Sequence, residues 1–180
     1  MSSKFFTNNN DRNLFDKFKG IIEHMKDLYA FHAVVGYFRS SGYFALQPHL
    51  ENIKEIKILV GINVDQMFAE AQRKGLLYFG DENKTKDEFL KWFIQDIKEA
   101  KYSEQVEKGV LQFINDLMEG RIEVRAHNSK AIHAKFYLFL PEKHTTHSDG
   151  WVIMGSSNLT EAGLGIKKSP NYELNIALKD

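Results

Sequence analysis

Two apolar runs constrain the fold most. Tyr29 to Phe38 reads YAFHAVVGYF, and Ile56 to Ile62 reads IKILVGI. Both are rich in β-branched and aromatic residues, which suits buried strands. Between them, Arg39-Ser40-Ser41-Gly42 forms a turn whose serines can cap a helix through about Leu50. Upstream, Leu14, Phe15, Phe18, Ile21, Ile22, Met25 and Leu28 recur at a helical period. They follow a loop, Asn8-Asn9-Asn10, with Asp11 as the expected N-cap. Downstream, Asp81 to Glu119 carries Lys, Glu, Leu, Ile and Phe at helical spacing without a Pro. That predicts two helices with a break near Tyr102-Ser103, their charges forming a solvated face. Arg121 to Ala126, Ile132 to Leu140, Trp151 to Met154 and Tyr172 to Leu178 read as further strands, and Pro141 to Gly150 as a polar loop. Strands alternate with helices early and cluster late. The expectation is an α/β fold: a three-layer sandwich with a mixed, mostly buried β-sheet flanked by helices.

The 180 residues suffice for a single domain spanning 1–180 with a real core. Cysteine is absent, which excludes disulfide scaffolds, zinc ribbons and thiol catalysis. No stretch approaches the roughly 18–20 apolar residues of a membrane span. The N-terminal MSSKFFTNNND has no apolar core of a signal peptide, so a cytoplasmic protein with no membrane partner is expected. Lys and Arg total 24 against 24 Asp and Glu. Nucleic-acid binding therefore has to come from a local patch, not bulk charge.

Chemistry concentrates between His133 and Glu173. His133 and Lys135 are two apart in an expected strand, so they project from one face. The next strand ends at Gly155-Ser156-Ser157-Asn158. A hairpin would bring these residues beside His133 and Lys135, with Glu173 completing the cluster. Lys135 and Asn158 can donate hydrogen bonds to anionic oxygens, and Ser156 or Ser157 adds a hydroxyl. His133 can attack phosphorus or shuttle a proton, and Glu173 can orient its imidazole. Lys and Asn supply the electrostatic stabilisation, so neither a metal nor another cofactor is expected. His144, His147 and Asp149 are read as a solvated loop in preference to a metal site. Together the residues describe a phosphodiester site.

His133-Ala134-Lys135 followed by Gly155-Ser156-Ser157-Asn158 resembles the phospholipase D superfamily motif, H-x-K-x4-D-x6-G-S-x-N. Glu173 resembles the acidic residue of its nuclease branch. The motif's Asp falls on Leu140, and the loop PEKHTTHSDG is longer than the motif spacing. Both departures resemble the restriction-endonuclease and helicase-associated branches. The front half, AVVGYFRSSG and KEIKILVGIN, resembles the N-terminal phospholipase D-like domain of bacterial superfamily-two helicases.

The resemblance implies that His133 is the nucleophile and forms a covalent phosphohistidine. Lys135 and Asn158, helped by Ser156, would hold the phosphate oxygens, and Glu173 would hydrogen-bond His133. In that family a second motif supplies a second His that protonates the leaving group. Only one such motif is present here, so a complete site implies a homodimer or a second copy elsewhere in a longer, helicase-like chain. Arg39 and Ser40, at a strand-to-helix turn, and Ser157 are further candidates for substrate binding. Arg121, Arg125, Lys130, Lys135 and Lys143 make 121–150 the most basic region, suited to a nucleic-acid backbone.

The leading expectation is a metal-independent nuclease acting on DNA. The alternative is a catalytically weak or inactive DNA-binding accessory domain of a helicase or restriction system. A lipid or small-molecule phosphodiesterase is disfavoured, because no interfacial amphipathic basic helix is evident.

Overall fold

The computed structural model describes residues 5–8, 13–61, 91, 98, 104–127, 132–143, 145 and 148–179. Its elements are β1 (Phe5–Thr7), α1 (Leu14–His24), β2 (Leu28–Val35), α2 (Ser40–Leu50), β3 (Glu55–Gly61), α3 (Glu104–Met118), β4 (Ile122–His127), β5 (Phe136–Pro141), β6 (Trp151–Gly155), α4 (Glu161–Leu164) and β7 (Leu174–Lys179). The strands form one seven-stranded sheet in the order β1-β7-β6-β5-β2-β3-β4.

The sheet is mixed, as expected. The pairs β2–β3 and β3–β4 are parallel. The pairs β2–β5, β5–β6, β6–β7 and β1–β7 are antiparallel. The parallel half arises because α2 returns the chain to the same edge of the sheet before β3, as a helical crossover must. In the antiparallel half only β5 and β6 are joined directly by a loop; β6 and β7 are linked through α4, and β2–β5 and β1–β7 bring together strands distant in sequence.

Alternation along the strands decides which face is buried. Phe31, Ala33 and Val35 of β2, Ile56, Ile58 and Val60 of β3, and Tyr137 and Phe139 of β5 turn to one side and are buried. Helix α1 lays Leu14, Phe18 and Ile21 on that side. Phe18 meets Phe31, Tyr137 and Phe139 edge-on, with ring centroids 5.7, 4.8 and 5.3 Å apart. Tyr43 of α2 packs edge-on against Phe113 of α3 at 5.1 Å. The described helices contact one another and share this core, so they occupy one face. The other face carries the ion pairs of Glu55 with His32 (2.7 Å) and with Lys57 (2.8 Å), which hold the Glu55 carboxyl below its usual pKa.

Several boundaries differ from the sequence expectation. Asn13, not Asp11, caps α1, and its Oδ1 accepts the Asp16 N–H at 2.9 Å. The expected serine cap of α2 is absent: Arg39 is the N-cap and contributes no side-chain bond to the helix. The expected strand 132–140 begins only at Phe136, and the expected strand 172–178 begins at Leu174. Strand β1 was not expected. Of the two helices expected in 81–119, α3 accounts for the second, and the first lies outside the described residues, as do Ile62, Lys130, His144 and His147. Among the described residues no helix is long and apolar enough to cross a membrane.

Candidate functional site

The two parts of the motif meet at one end of the sheet, where β2 and β3 finish, β6 ends and β5 begins. The Gly155 N–H donates to the Lys135 carbonyl at 3.1 Å, extending the β5–β6 ladder one step beyond its last strand pair. Ile132, just before His133, lies against the ends of β2 and β3. A Cβ on Gly36 would stand 2.5 Å from the Ile132 carbonyl oxygen, and one on Gly61 would stand 2.7 Å from the Ile132 side chain. Two missing side chains thus allow the His133 segment to cross the carboxyl ends of the parallel strands, next to the point where the sheet changes from parallel to antiparallel. That is a common place for a ligand in an α/β sheet.

His133 is exposed there, and Lys135 is half-buried. The Lys135 Nζ donates to the His133 carbonyl at 2.9 Å. An ammonium has three donors, so two remain for an anion.

Asn158 is fixed from two sides. Its Oδ1 accepts the Tyr37 N–H at 2.8 Å. Its backbone is pressed by α4, where a Cβ on Gly163 would fall 2.2 Å from the Asn158 carbonyl oxygen. With Oδ1 committed to Tyr37, the Nδ2 group is the side of the amide left to donate to a ligand.

Ser156 is exposed and bound at both ends of its hydroxyl. Its Oγ accepts the Leu174 N–H at 3.1 Å and donates to the Glu173 carboxylate. Glu173 is held in turn by Asn8, whose Oδ1 accepts the Glu173 N–H at 3.0 Å. Glu173 therefore belongs to the cluster, but its carboxylate partner is Ser156. Among the described residues no hydrogen bond joins Glu173 to the His133 imidazole.

Two candidates lie in packing. Ser157 is fully buried, its Oγ accepting from Asn175 Nδ2 at 2.9 Å and its carbonyl accepting from the Tyr137 hydroxyl at 2.8 Å. Burial pushes the Tyr137 phenol well above its usual pKa. Ser40, on the first turn of α2, is 1% exposed. Neither faces solvent where a substrate would sit. Arg39 does reach the surface near Asn158, with its guanidinium 5.1 Å from the Tyr37 ring centroid.

The basic region is thinner than its composition implies. Arg121 lies at the opposite end of the sheet, before β4. Its Nε donates to Asp116 at 2.7 Å, Nη2 donates to the same carboxylate, and Nη1 donates to the carbonyls of Leu50 (3.0 Å) and Ile53 (2.8 Å). Asp116 raises the Arg121 pKa further. Arg125 pairs with Glu123 at 2.6 Å. Arg121 is therefore not available to steer a polyanion to the motif, whereas Arg125 stays exposed.

Sequence reasoning missed Asn8 and Tyr37. Asn8 carried a signal only as part of an asparagine run, and the Tyr37 contribution comes from its backbone. A second His-x-Lys, His24-Met25-Lys26, lacks a following Gly-Ser-x-Asn. It lies at the far end of the sheet, where a cavity of about 660 Å³ is also lined by Lys17, Trp151 and Lys179.

The family model described as "Cardiolipin synthase, PLD-like domain" matches residues 55–180 of the chain. No curated protein matches it. Among solved structures, yeast tyrosyl-DNA phosphodiesterase superposes over 96% of the chain with a TM-score of 0.45 and 9% identity. A mutant of that enzyme superposes over 96% with a TM-score of 0.46 and 10% identity. The chain spans about 30% of the length of these structures.

Proposed function

The chain belongs to the phospholipase D-like domain family, and from that premise we propose that it is a metal-independent phosphodiesterase acting on DNA through a phosphohistidine at His133. The observation that carries this reading is the Gly155 N–H to Lys135 carbonyl bond, which joins the His-x-Lys and Gly-Ser-x-Asn halves of the motif.

A ring nitrogen of His133 attacks phosphorus. The P–N bond forms as the P–O ester bond breaks, and the leaving oxygen takes a proton. Lys135 and Asn158 Nδ2 donate to the non-bridging oxygens, where negative charge builds in the transition state. Water then attacks phosphorus while giving a proton back to the group that had protonated the leaving oxygen, the P–N bond breaks, and the imidazole is regenerated. The acid that protonates the leaving oxygen is the equivalent histidine of a second copy, because this chain holds one complete motif. Arg39, beside Asn158, contacts the flanking backbone.

A second reading has its own support. The Glu173 carboxylate is engaged by Ser156 and not by His133, which suits a domain that holds a phosphate without cleaving it, as in a DNA-binding accessory module of a helicase or restriction system. Cleavage of supercoiled and single-stranded DNA in excess EDTA separates the two. Activity in wild type and none in His133→Ala supports the enzyme. Equal DNA binding by both proteins, with no cleavage by either, supports the accessory module.

A further inference from the structure

We propose that Tyr37 is a stacking platform for the nucleobase beside the bound phosphate, so that the site selects single-stranded or locally unpaired nucleic acid. The inference rests on the phosphodiester reading above and adds the substrate class. Tyr37 lies two residues after the fully buried Val35 and just before the 1% exposed Phe38, yet it is itself 39% exposed. Its position is tied to the site through its backbone, which donates to Asn158 Oδ1 at 2.8 Å. Its ring is braced by Arg39, whose guanidinium carbon lies over it 5.1 Å from the centroid and whose Nη2 donates to the Tyr37 hydroxyl at 2.5 Å.

A partly exposed aromatic residue, braced by an arginine and with its main chain bonded to a phosphate-holding amide, is suited to meet an unstacked base. The arginine adds charge and donors for the neighbouring backbone without reading sequence. A duplex keeps its bases stacked on one another, and presenting one to a surface ring costs unstacking energy. The same geometry therefore favours strands whose bases are already free.

The test is equilibrium binding, by fluorescence anisotropy in EDTA, of labelled oligothymidylate and of an abasic oligonucleotide of the same length. Wild type, Tyr37→Ala and Tyr37→Phe are compared as full chains. The Asn158 bond uses the main chain, so Tyr37→Ala retains it. Wild type is expected to bind oligothymidylate about tenfold more tightly than the abasic strand, the scale of one stacked base. Tyr37→Ala should lose that preference, binding the two strands about equally whatever its overall affinity, and Tyr37→Phe should keep the preference. Equal binding of both strands by wild type, or parallel weakening of both in Tyr37→Ala, overturns the role of Tyr37 and leaves the phosphodiester reading standing. Failure of wild type to bind either strand overturns both.

Discussion

Tyr37 and Asn158 are 121 positions apart in sequence and joined by one hydrogen bond, the Tyr37 N–H donating to Asn158 Oδ1 at 2.8 Å. The bond fixes which way the amide faces. A backbone N–H can only donate, so the carbonyl side must turn to Tyr37, and the NH2 side is turned away from it. Asn158→Asp keeps the oxygen that Tyr37 needs and replaces the NH2 with a second, negatively charged oxygen. The expected result is a folded protein with a Tm near that of wild type and DNA cleavage reduced about 10²–10³-fold, the usual consequence of removing one transition-state donor. Thermal melts and single-turnover cleavage check the two halves. An inactive variant with a much lower Tm would point to a structural role for Asn158.

Ser156 and Glu173 act as one unit. The serine oxygen accepts the Leu174 N–H and its hydroxyl donates a hydrogen bond to the Glu173 carboxylate, while Asn8 holds the Glu173 main chain. Substitutions inside such a unit do not add. Ser156→Ala and Glu173→Gln are each expected to slow cleavage about 10–100-fold, and the double variant should be no slower than the worse single variant. Additive losses, measured as kcat/KM for the three variants, would show that Glu173 acts elsewhere, with the His133 imidazole the first place to look.

The fold was legible where the side chains carry a period. Phe31, Ala33 and Val35, with Ile56, Ile58 and Val60, are buried strand positions, and the helical spacing of Leu14, Phe18 and Ile21 is the buried stripe of α1. The ends were less legible because partners elsewhere in the chain set them. His133 and Lys135 alternate like strand residues, yet the paired registers end at Val34 with Phe136 and at Phe136 with Met154, and only the Gly155 N–H to Lys135 carbonyl bond reaches one step further, so His133 lies past the ladder. Strand β1 has three residues, too few to show a period, and exists because Leu174–Ile176 offers an edge. The meeting of the two motif halves was readable, but the Glu173 partner was not, because it depends on where Ser156 sits after folding. Likewise Arg121 reads as surface charge until Asp116, 1% exposed, is found against it.

Tyr43 gives a stability prediction. It is fully buried, its hydroxyl has no hydrogen-bond partner among the described residues, and burial pushes its pKa well above the usual value near 10. The folded state therefore keeps the phenol neutral at a pH where the unfolded chain releases the proton. A raised folded pKa contributes stability that is complete below the unfolded pKa and is lost as pH rises toward the folded one. Stability should fall above about pH 10, by about 1.4 kcal/mol per pH unit for each such tyrosine. Tyr43→Phe should be neutral or slightly stabilising at pH 7, since it removes an unsatisfied polar group, and should flatten part of the alkaline fall. Urea unfolding at pH 7 and pH 10.5 checks both, and an unchanged alkaline slope would mean that Tyr43 ionises equally in both states. Tyr137 is the control: its hydroxyl donates to the Ser157 carbonyl, so Tyr137→Phe should cost about 1 kcal/mol at pH 7.

The single His-x-Lys…Gly-Ser-x-Asn motif makes subunit composition measurable through activity. If the leaving-group acid comes from a second copy, each working site needs two intact histidines, and a two-fold dimer places both at one interface. A hybrid of wild type with His133→Ala then has no complete site. Mixing the proteins under subunit exchange should lower activity with the square of the wild-type fraction, so an equal mixture retains about one quarter of the activity of an all-wild-type sample at the same total concentration. A site complete within one chain would retain about half. Light scattering during the titration establishes that dimers are present, and a linear fall in a proven dimer would assign the general acid to this same chain.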